Sequence, residues 1–562
     1  MKLKLLAFSF CFFVSMATLY AQSDYVMLGS RQYAVLDRFE VMLQKDSVLN
    51  FSAIKPFSRK VITERLEYIK ELAQQGKISL SKADKYNIEV ILKDNFEYSK
   101  AFSGKDTSLK FKDIFSKSVL KNPPYVGVKR GDFSLYATTY LNLSMGKDNQ
   151  LSNNLFNNAR GIYVRGTVTK NLGYYTYLTE NQERDPLYVQ QFEQKFGAVP
   201  GEGYYKSGFK GNGYDLFNAR GGIMFNAGKG VDMQFAYDKV FIGNGYRSLI
   251  LSDFSNNFLF FKINTRLWKF NYHLLYAQLV RTHRRTTDYL RPQKYMAYHQ
   301  LDIQATKWLQ IGLYENIMFG RSNGFDLSYL NPVIFYRAAE IQNGSPDKVT
   351  IGLNIKANVM KKTQLYGQFV LNEFLLSAIT NYSSGSHVNK QALQVGGKSI
   401  DVFGIKNLDV QAEMNIIRPF VYSHWDTAGS FTHYNQPLAH PLGANLREYI
   451  GILRYQPIPK LQLQAKVIAY KQGLDSAGRN FGSSPFRLYT DRPRNEGFFI
   501  GSGIPVNTLI ASFTATYELL PNLFLDANTT IRNYKKQGAV DFNTGIYSFG
   551  LRLNLQRREF DF

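Results

Sequence analysis

From about residue 130 onward apolar and polar residues alternate with a period of two, and nothing else in the sequence constrains the fold as much. Leu461, Leu463, Ala465, Val467 and Ala469 alternate with Gln462, Gln464, Lys466 and Tyr470. The same pattern recurs in Leu523, Leu525, Ala527, Thr529 and Ile531 against Asp526, Asn528, Thr530 and Arg532, and in Leu408, Val410, Ala412 and Met414 against Asp409, Gln411, Glu413 and Asn415. A period of two sends successive side chains to opposite faces of a strand. Soluble sandwiches alternate too, but their strands average about five to six residues. Segments of about ten to twelve residues, tilted by about 40°, instead span a hydrocarbon core of about 25 Å, so the pattern predicts an all-β transmembrane barrel of antiparallel strands.

Punctuation between the segments gives the strand number. Short connections fall near 170–172, 227–230, 266–269, 306–308, 361–363, 405–407, 457–460 and 519–522, and longer polar, Gly- and Asn-rich stretches lie between them, such as 183–214, 319–347, 422–444 and 472–507. In a barrel whose two ends are periplasmic, short turns face the periplasm and long loops face outside. Eight short turns then require eighteen strands. Tyr547, Phe549, Leu551, Leu553 and Leu555 continue the alternation toward Phe562, which predicts a final amphipathic strand that ends in phenylalanine.

Composition agrees with this reading. The 562 residues are 44% hydrophobic and 15% aromatic, yet the mean hydropathy is only −0.27. So many aromatics at so low a hydropathy exclude a helical membrane protein, and the apolar share excludes a wholly disordered chain. Lys and Arg number 68 against 44 Asp and Glu, a formal net charge of +24. Such an excess suits an acidic polysaccharide or glycolipid phosphates, and equally a solvated surface. No basic cluster accompanies a reading helix or an RNA-binding aromatic motif, so no nucleic-acid partner is expected.

The first 125 residues follow a different grammar. Met1-Lys2-Leu3-Lys4, the apolar stretch Leu5 to Leu19 and the small residue Ala21 predict a signal peptide over 1–21. The single cysteine, Cys11, lies inside it, so the exported chain is expected to have no disulfide, thiolate metal site or cysteine nucleophile. Residues 22–125 carry helical periodicity. Ile62, Leu66, Ile69 and Ala73 follow Ser58, and Ile88, Ile91, Leu92 and Phe96 follow a capping box of Ser81 and Asp84. A periplasmic helical bundle or a plug for the barrel, which occupies 126–562, both satisfy this pattern.

The polar face of the alternation would carry Arg165, Glu180, Arg220, Asp232, Lys262, Lys356, Asp409, Glu413, Lys466, Asp526, Arg532 and Arg552 into the lumen. His424, His433 and His440 share one long loop without a metal-ligating spacing. There is no G-x-S-x-G elbow and no P-loop, and no catalytic residue, metal ligand or cofactor is expected. A hydrolase that assembles a Ser–His pair from separate strands leaves no local motif and stays open at this point.

Several strings are recognisable. They are Gly29-Ser30 with Tyr33 and Leu36-Asp37-Arg38-Phe39-Glu40, Lys55-Pro56-Phe57-Ser58-Arg59, and Ile242-Gly243-Asn244-Gly245-Tyr246-Arg247-Ser248-Leu249 with Leu251-Ser252-Asp253. Leu330-Asn331-Pro332-Val333-Ile334-Phe335-Tyr336-Arg337 with Glu340, Tyr366-Gly367-Gln368 with Asn372-Glu373-Phe374, and His433-Tyr434-Asn435-Gln436-Pro437-Leu438-Ala439-His440-Pro441-Leu442-Gly443-Ala444-Asn445 complete the set. Together they resemble the Wzi-like capsule-assembly barrels of Bacteroidota, and within that family the gliding-motility-associated RemB group. The resemblance implies an eighteen-stranded outer-membrane barrel with an N-terminal periplasmic helical bundle, and a lectin-like role at the cell surface. No binding residue is carried over from it.

The expected function is therefore a non-enzymatic outer-membrane barrel that binds or retains capsular or other surface polysaccharide. The alternative is an accessory of gliding motility or adhesion that acts through protein partners, and a diffusion porin comes third. Expected partners are outer-membrane lipid and glycolipid, surface polysaccharide, and motility or adhesin proteins. Tyr246, Arg247, Asn331, Tyr336, Glu340, His433, Asn435, Gln436, His440 and Asn445 fall in extracellular loops or at outer strand ends. Two roles suit them: contact with sugar, or locking of loops over the barrel mouth.

Overall fold

The computed structural model describes residues 24–100, 126–209, 213–283, 289–322, 324–372, 382–476 and 478–562. The expected signal peptide lies outside these residues.

Eighteen antiparallel strands close into a barrel. They are β1 (Phe133–Asp148), β2 (Leu155–Thr169), β3 (Leu172–Arg184), β4 (Gly213–Gly228), β5 (Val231–Asp238) and β6 (Phe258–Leu267). Next come β7 (Phe270–Val280), β8 (Gln293–Gln304), β9 (Leu309–Phe319), β10 (Lys348–Val359), β11 (Thr363–Leu371) and β12 (Gln391–Ser399). The last are β13 (Leu408–Ile417), β14 (Leu446–Ile458), β15 (Leu461–Leu474), β16 (Ile504–Leu520), β17 (Leu523–Lys536) and β18 (Phe542–Leu553). Each pairs with the next, and β18 closes on β1 from Ile546↔Asp148 to Leu553↔Leu141. Closure satisfies the backbone of every strand, which no open sheet achieves in lipid. The eight short connections fall where the sequence places them. In the β10–β11 turn Met360 and Lys361 both have positive φ, 54° and 56°, and Lys362 N–H closes the turn on Val359 C=O at 3.2 Å.

Leu313, Ile351, Leu365, Val467 and Ile531 form part of the exposed apolar belt on the outer face, and Trp268, Phe270 and Trp308 stand exposed near the short turns. This is the lipid-facing surface of an outer-membrane barrel, with an aromatic girdle at one interface. Among the described residues no helix is long and apolar enough to cross a membrane. Of the charged residues expected in the lumen, Glu180 alone departs. Its neighbours Thr179 and Asn181 are buried, and its carboxylate points outward to Arg160 of β2, 3.1 Å away. The register pairs Arg160 directly with Glu180, so each outward charge near the rim is neutralised by the other.

Among the described residues, three α-helices precede the barrel: α1 (Arg31–Leu43), α2 (Arg59–Gln74) and α3 (Lys82–Asp94). The Ser58 hydroxyl caps α2 by accepting from Val61 N–H at 3.4 Å. At α3 the Ser81 hydroxyl accepts from Asp84 N–H at 2.9 Å and Ser81 N–H donates back to the Asp84 carboxylate at 3.0 Å. Leu36, Phe39, Ile62, Leu66, Ile69 and Ile91 form their shared core. Helix α1 escapes the periodicity reading because Gln32, Arg38 and Glu40 interrupt its apolar stripe while being buried. Their partners explain the burial. Arg38 reaches Asp84 (2.9 Å), Asp401 (2.7 Å) and Asp409 (2.6 Å), and Glu40 pairs with Lys356 of β10 at 2.6 Å. With Arg31–Glu518 at 2.8 Å and Glu97–Arg165 at 2.9 Å, these bonds seat the helical region in the short-turn end of the barrel, the periplasmic mouth.

The expected phenylalanine-ended strand is corrected by the structure. Strand β18 stops at Leu553, and Asn554 at φ 55° turns the chain out of the sheet. Residues 555–562 then enter the lumen, where Arg558 pairs with Glu183 and Asp561 with Arg247 at 3.1 Å. Phe562 lies among Tyr188, Phe192 and Phe254 at centroid distances of 5.9, 5.2 and 5.6 Å.

Candidate functional site

The long connections do not stand clear of the barrel. Residues 239–257, between β5 and β6, descend into the lumen until Phe241–Ile242 pairs with Ile54–Lys55 of the helical region. Gly243 N–H donates to Ala53 C=O at 2.7 Å, so the segment entering from outside meets the helical region inside the barrel. Tyr246 and Arg247 follow this contact. Their two backbone N–H groups donate to the Glu413 carboxylate on β13 at 2.6 and 3.0 Å. The Arg247 guanidinium pairs with Glu448 of β14 at 3.0 Å and with Asp561 at 3.1 Å. Tyr246 Oη lies between Lys466 Nζ (2.7 Å) and the Glu559 carboxylate (3.2 Å) and also bonds Asp561. A buried network of this kind rigidifies whatever it joins, because each charge left unpaired would be costly.

Residues 418–445, between β13 and β14, fill the outer half. His433 Nδ1 accepts from Val280 N–H at 3.0 Å and Nε2 faces Asn257 C=O at 2.9 Å, which assigns the neutral Nε2–H tautomer. Burial pushes this imidazole down to about 3. The Asn435 amide accepts from His283 N–H at 2.9 Å and donates to Phe196 C=O (2.8 Å) and His283 C=O (2.7 Å). Gln436 accepts from Gly201 N–H at 2.8 Å. His440 Nε2 lies 2.7 Å from the Glu448 carboxylate. Asn445, itself at φ 58°, accepts from Gly501 N–H and donates to Gly473 and Ser502 C=O, each at 2.8 Å. Each of the five side chains bonds another loop or the wall through at least one polar atom. His424 bonds its own loop through Asp426 N–H at 3.4 Å. Among the described residues no group of three or more His, Cys, Asp or Glu is placed to hold a metal ion.

Asn331, Tyr336 and Glu340 lie elsewhere. Their loop, 320–347, carries helix α5 (Tyr336–Gln342), the fifth after α4 (Leu187–Phe196) in the β3–β4 loop. It folds over the outer face of the wall, with the Tyr336 ring stacked on His299 of β8 at 4.4 Å and 15°. Glu340 pairs with Arg337 at 2.6 Å, and the Asn331 side chain accepts from Val333 N–H at 3.1 Å. The ten expected residues thus divide among the mid-lumen, the mouth and the outer wall.

One residue within the recognised strings behaves differently. Between the locked His433 and Asn435, Tyr434 turns outward at φ 50°. The Arg291 guanidinium sits 4.9 Å from the Tyr434 ring centroid and 5.9 Å from that of Tyr204, while Arg291 Nε donates to His283 at 3.0 Å. This platform lines a cavity of about 620 Å³, with Glu202, Tyr237 and Asn256 also on its wall. The cavity exists because β5 is short. The uppermost β4–β5 pair is Gly221↔Tyr237, so residues 213–220 of β4 rise above β5 and leave a notch in the rim. The unequal lengths of these two strands were the available signal. Below the platform a second cavity, about 560 Å³, is lined by Arg38, Lys55, Arg220, Lys239 and Arg558. Burial lowers both Lys55 and Lys239 to about 8.

No family model and no curated protein matches the chain. Among solved structures, Escherichia coli Wzi, an outer membrane protein involved in group 1 capsule assembly and a carbohydrate binding β-barrel, aligns with a TM-score of 0.54. That alignment covers 96% of this chain and 99% of Wzi at 12% identity. Two Pseudomonas aeruginosa barrels, OprD and OpdK with vanillate, align at TM-scores of 0.41 and 0.42. Each covers 75% of this chain, and 96% and 98% of their own lengths, at 10% and 9% identity. Over nearly its whole length, then, the chain has the fold of the Wzi outer-membrane barrel.

Proposed function

We propose that the protein holds surface polysaccharide at the outer membrane without chemical conversion, and that the sugar is met at Arg291, Tyr434 and Tyr204. The observation that carries this reading is the guanidinium set beside two tyrosine rings over an open notch in the rim. Aromatic faces stack on sugar rings, and a guanidinium pairs with uronates or hydrogen-bonds hydroxyls in a fixed fork. The locks at His433 and Asn435 on either side of Tyr434 keep that ring in place, so little ordering is left for binding to supply. The net charge of +24 favours an acidic polymer. The fold shared with a carbohydrate-binding barrel supports the same reading.

The test is a chromosomal Arg291→Ala, Tyr434→Ala double variant, checked for heat-modifiable folding and then for polysaccharide on cells and in the medium. Sugar lost from cells and gained in the medium is the expected result. Unchanged surface sugar overturns the proposal. If spreading on agar is impaired at the same time, the motility group that the sequence resembles becomes the better guide.

A further inference from the structure

The outer wall of β7–β10 carries side chains that a lipid-facing surface does not tolerate bare. Along β7, Asn271, His273 and Leu275 face the lumen, which turns Tyr272 and Tyr276 outward, and the register places His299 and Glu315 on that same outer face. His299 and Glu315 are 3.2 Å apart, and Glu315 is 3% exposed. An ionisable pair on the lipid side of a barrel is costly unless something covers it. Loop 320–347 covers it. The Glu315 carboxylate accepts from Tyr336 and Arg337 N–H at 2.7 and 2.8 Å. Tyr276 Oη donates to Leu330 C=O at 2.9 Å, and Tyr272 Oη donates to Pro332 C=O. Tyr272 is the third residue of β7 after the periplasmic turn, so Pro332 sits far down the wall from the outer end at Val280.

The other side of this loop is apolar. Val333 is 83% exposed and Phe335 74%, with Leu327, Leu330 and Ile341 also exposed. Leu313 and Ile351 of the lipid-facing belt flank Glu315 on the same face, Leu313 two residues before it and Ile351 opposite it in the register. The one exposed cation among residues 327–341, Arg337, is paired with Glu340. Irregular backbone survives inside hydrocarbon only where its polar groups find partners in the protein. Tyr272, Tyr276, Glu315 and Asn331 supply such partners along residues 330–337.

From this we infer that residues 327–341 form a membrane-embedded patch, its outer face immersed in the acyl chains of the bilayer. The wall tyrosines and Glu315 serve as its anchors. The patch widens the apolar contact of the barrel on one side only and fixes which side wall meets lipid through a loop instead of through strands.

The experiment uses the full chain with Cys11 replaced by serine, and single cysteines at Val333, Phe335 and Ile341. Leu313→Cys serves as lipid reference and Val540→Cys as aqueous reference. Each variant is spin-labelled in phospholipid nanodiscs after its heat-modifiable folding is confirmed. Collision with oxygen should exceed collision with a nickel chelate several-fold at 333, 335 and 341, as at 313, with the ratio reversed at 540. A ratio like that of 540 puts the patch in water and overturns the inference. Low collision with both reagents also overturns it, because the patch is then covered by protein.

Discussion

Arg247, on the connection between β5 and β6, lies 3.0 Å from Glu448 on β14, almost half-way around the barrel. The bond ties a segment entering from one side of the mouth to the opposite wall, and Asp561 completes it at 3.1 Å. Removing one partner leaves the others buried and uncompensated, which costs about 3–5 kcal/mol in comparable pairs. Arg247→Ala is therefore expected to lower the denaturant midpoint of the refolded barrel clearly. The Arg247→Ala, Glu448→Ala double variant is expected to recover part of that loss. Equal midpoints for wild type and Arg247→Ala would contradict the role assigned to this bond.

The helical region is bound to the periplasmic mouth mainly through charge. Arg38 alone reaches Asp401 and Asp409 on the barrel side, while Asp84 of α3 holds it from within the helical region. Arg38→Ala should loosen the docking, and deleting residues 22–120 should abolish it. In planar bilayers both changes are expected to raise conductance, the deletion more. Conductance that stays at the wild-type level in the deletion would mean that the helices do not limit the lumen.

His433 and His424 make the mouth sensitive to acid. Burial lowers each to about 3, whereas an unfolded histidine titrates near 6.5. Below about pH 6.5 the unfolded chain therefore binds more protons than the folded one. Their contribution is complete above that pH and declines as the pH falls toward 3, by about 1.4 kcal/mol per pH unit for each histidine. Denaturant midpoints measured from pH 7 to 4.5 should fall, and His433→Gln should flatten the slope while lowering the midpoint at pH 7. An unchanged slope in His433→Gln would show that this imidazole titrates normally.

The barrel was legible because its signal is local. Leu461 to Tyr470 declares two faces by itself, and a short turn such as 521–522 needs no distant partner. What the loops do was not legible for the opposite reason. Arg247 meets residues about two and three hundred positions away, Glu448 and Asp561, and nothing near Tyr246-Arg247 distinguishes a lock from a ligand site. In the same way Arg38 disguised α1, since a charge inside an apolar stripe reads as the end of a helix until its carboxylates are seen. Glu180 failed because parity within β3, not polarity, decides its side, and Arg160 makes the outward choice tolerable. Tyr434 stands inside a recognisable string with no signal of its own. Only the partners of His433 and Asn435 reveal that the residue between them is the one left to face outward.

Phe562 would act differently in a lipid-facing strand and in the lumen. As the end of a lipid-facing strand it would matter for barrel assembly, whereas in the lumen it packs on Tyr188 and Phe192 of α4 and on Phe254. Truncating a buried phenylalanine to alanine costs about 3–5 kcal/mol. Phe562→Ala should leave heat-modifiable assembly intact and make residues 187–196 more accessible to protease in the folded barrel. Phe549→Ala, on the lipid face of β18, should leave protease access to α4 unchanged. Assembly lost in Phe562→Ala, with α4 no more accessible in whatever folds, would return Phe562 to the role that the sequence alone assigns it.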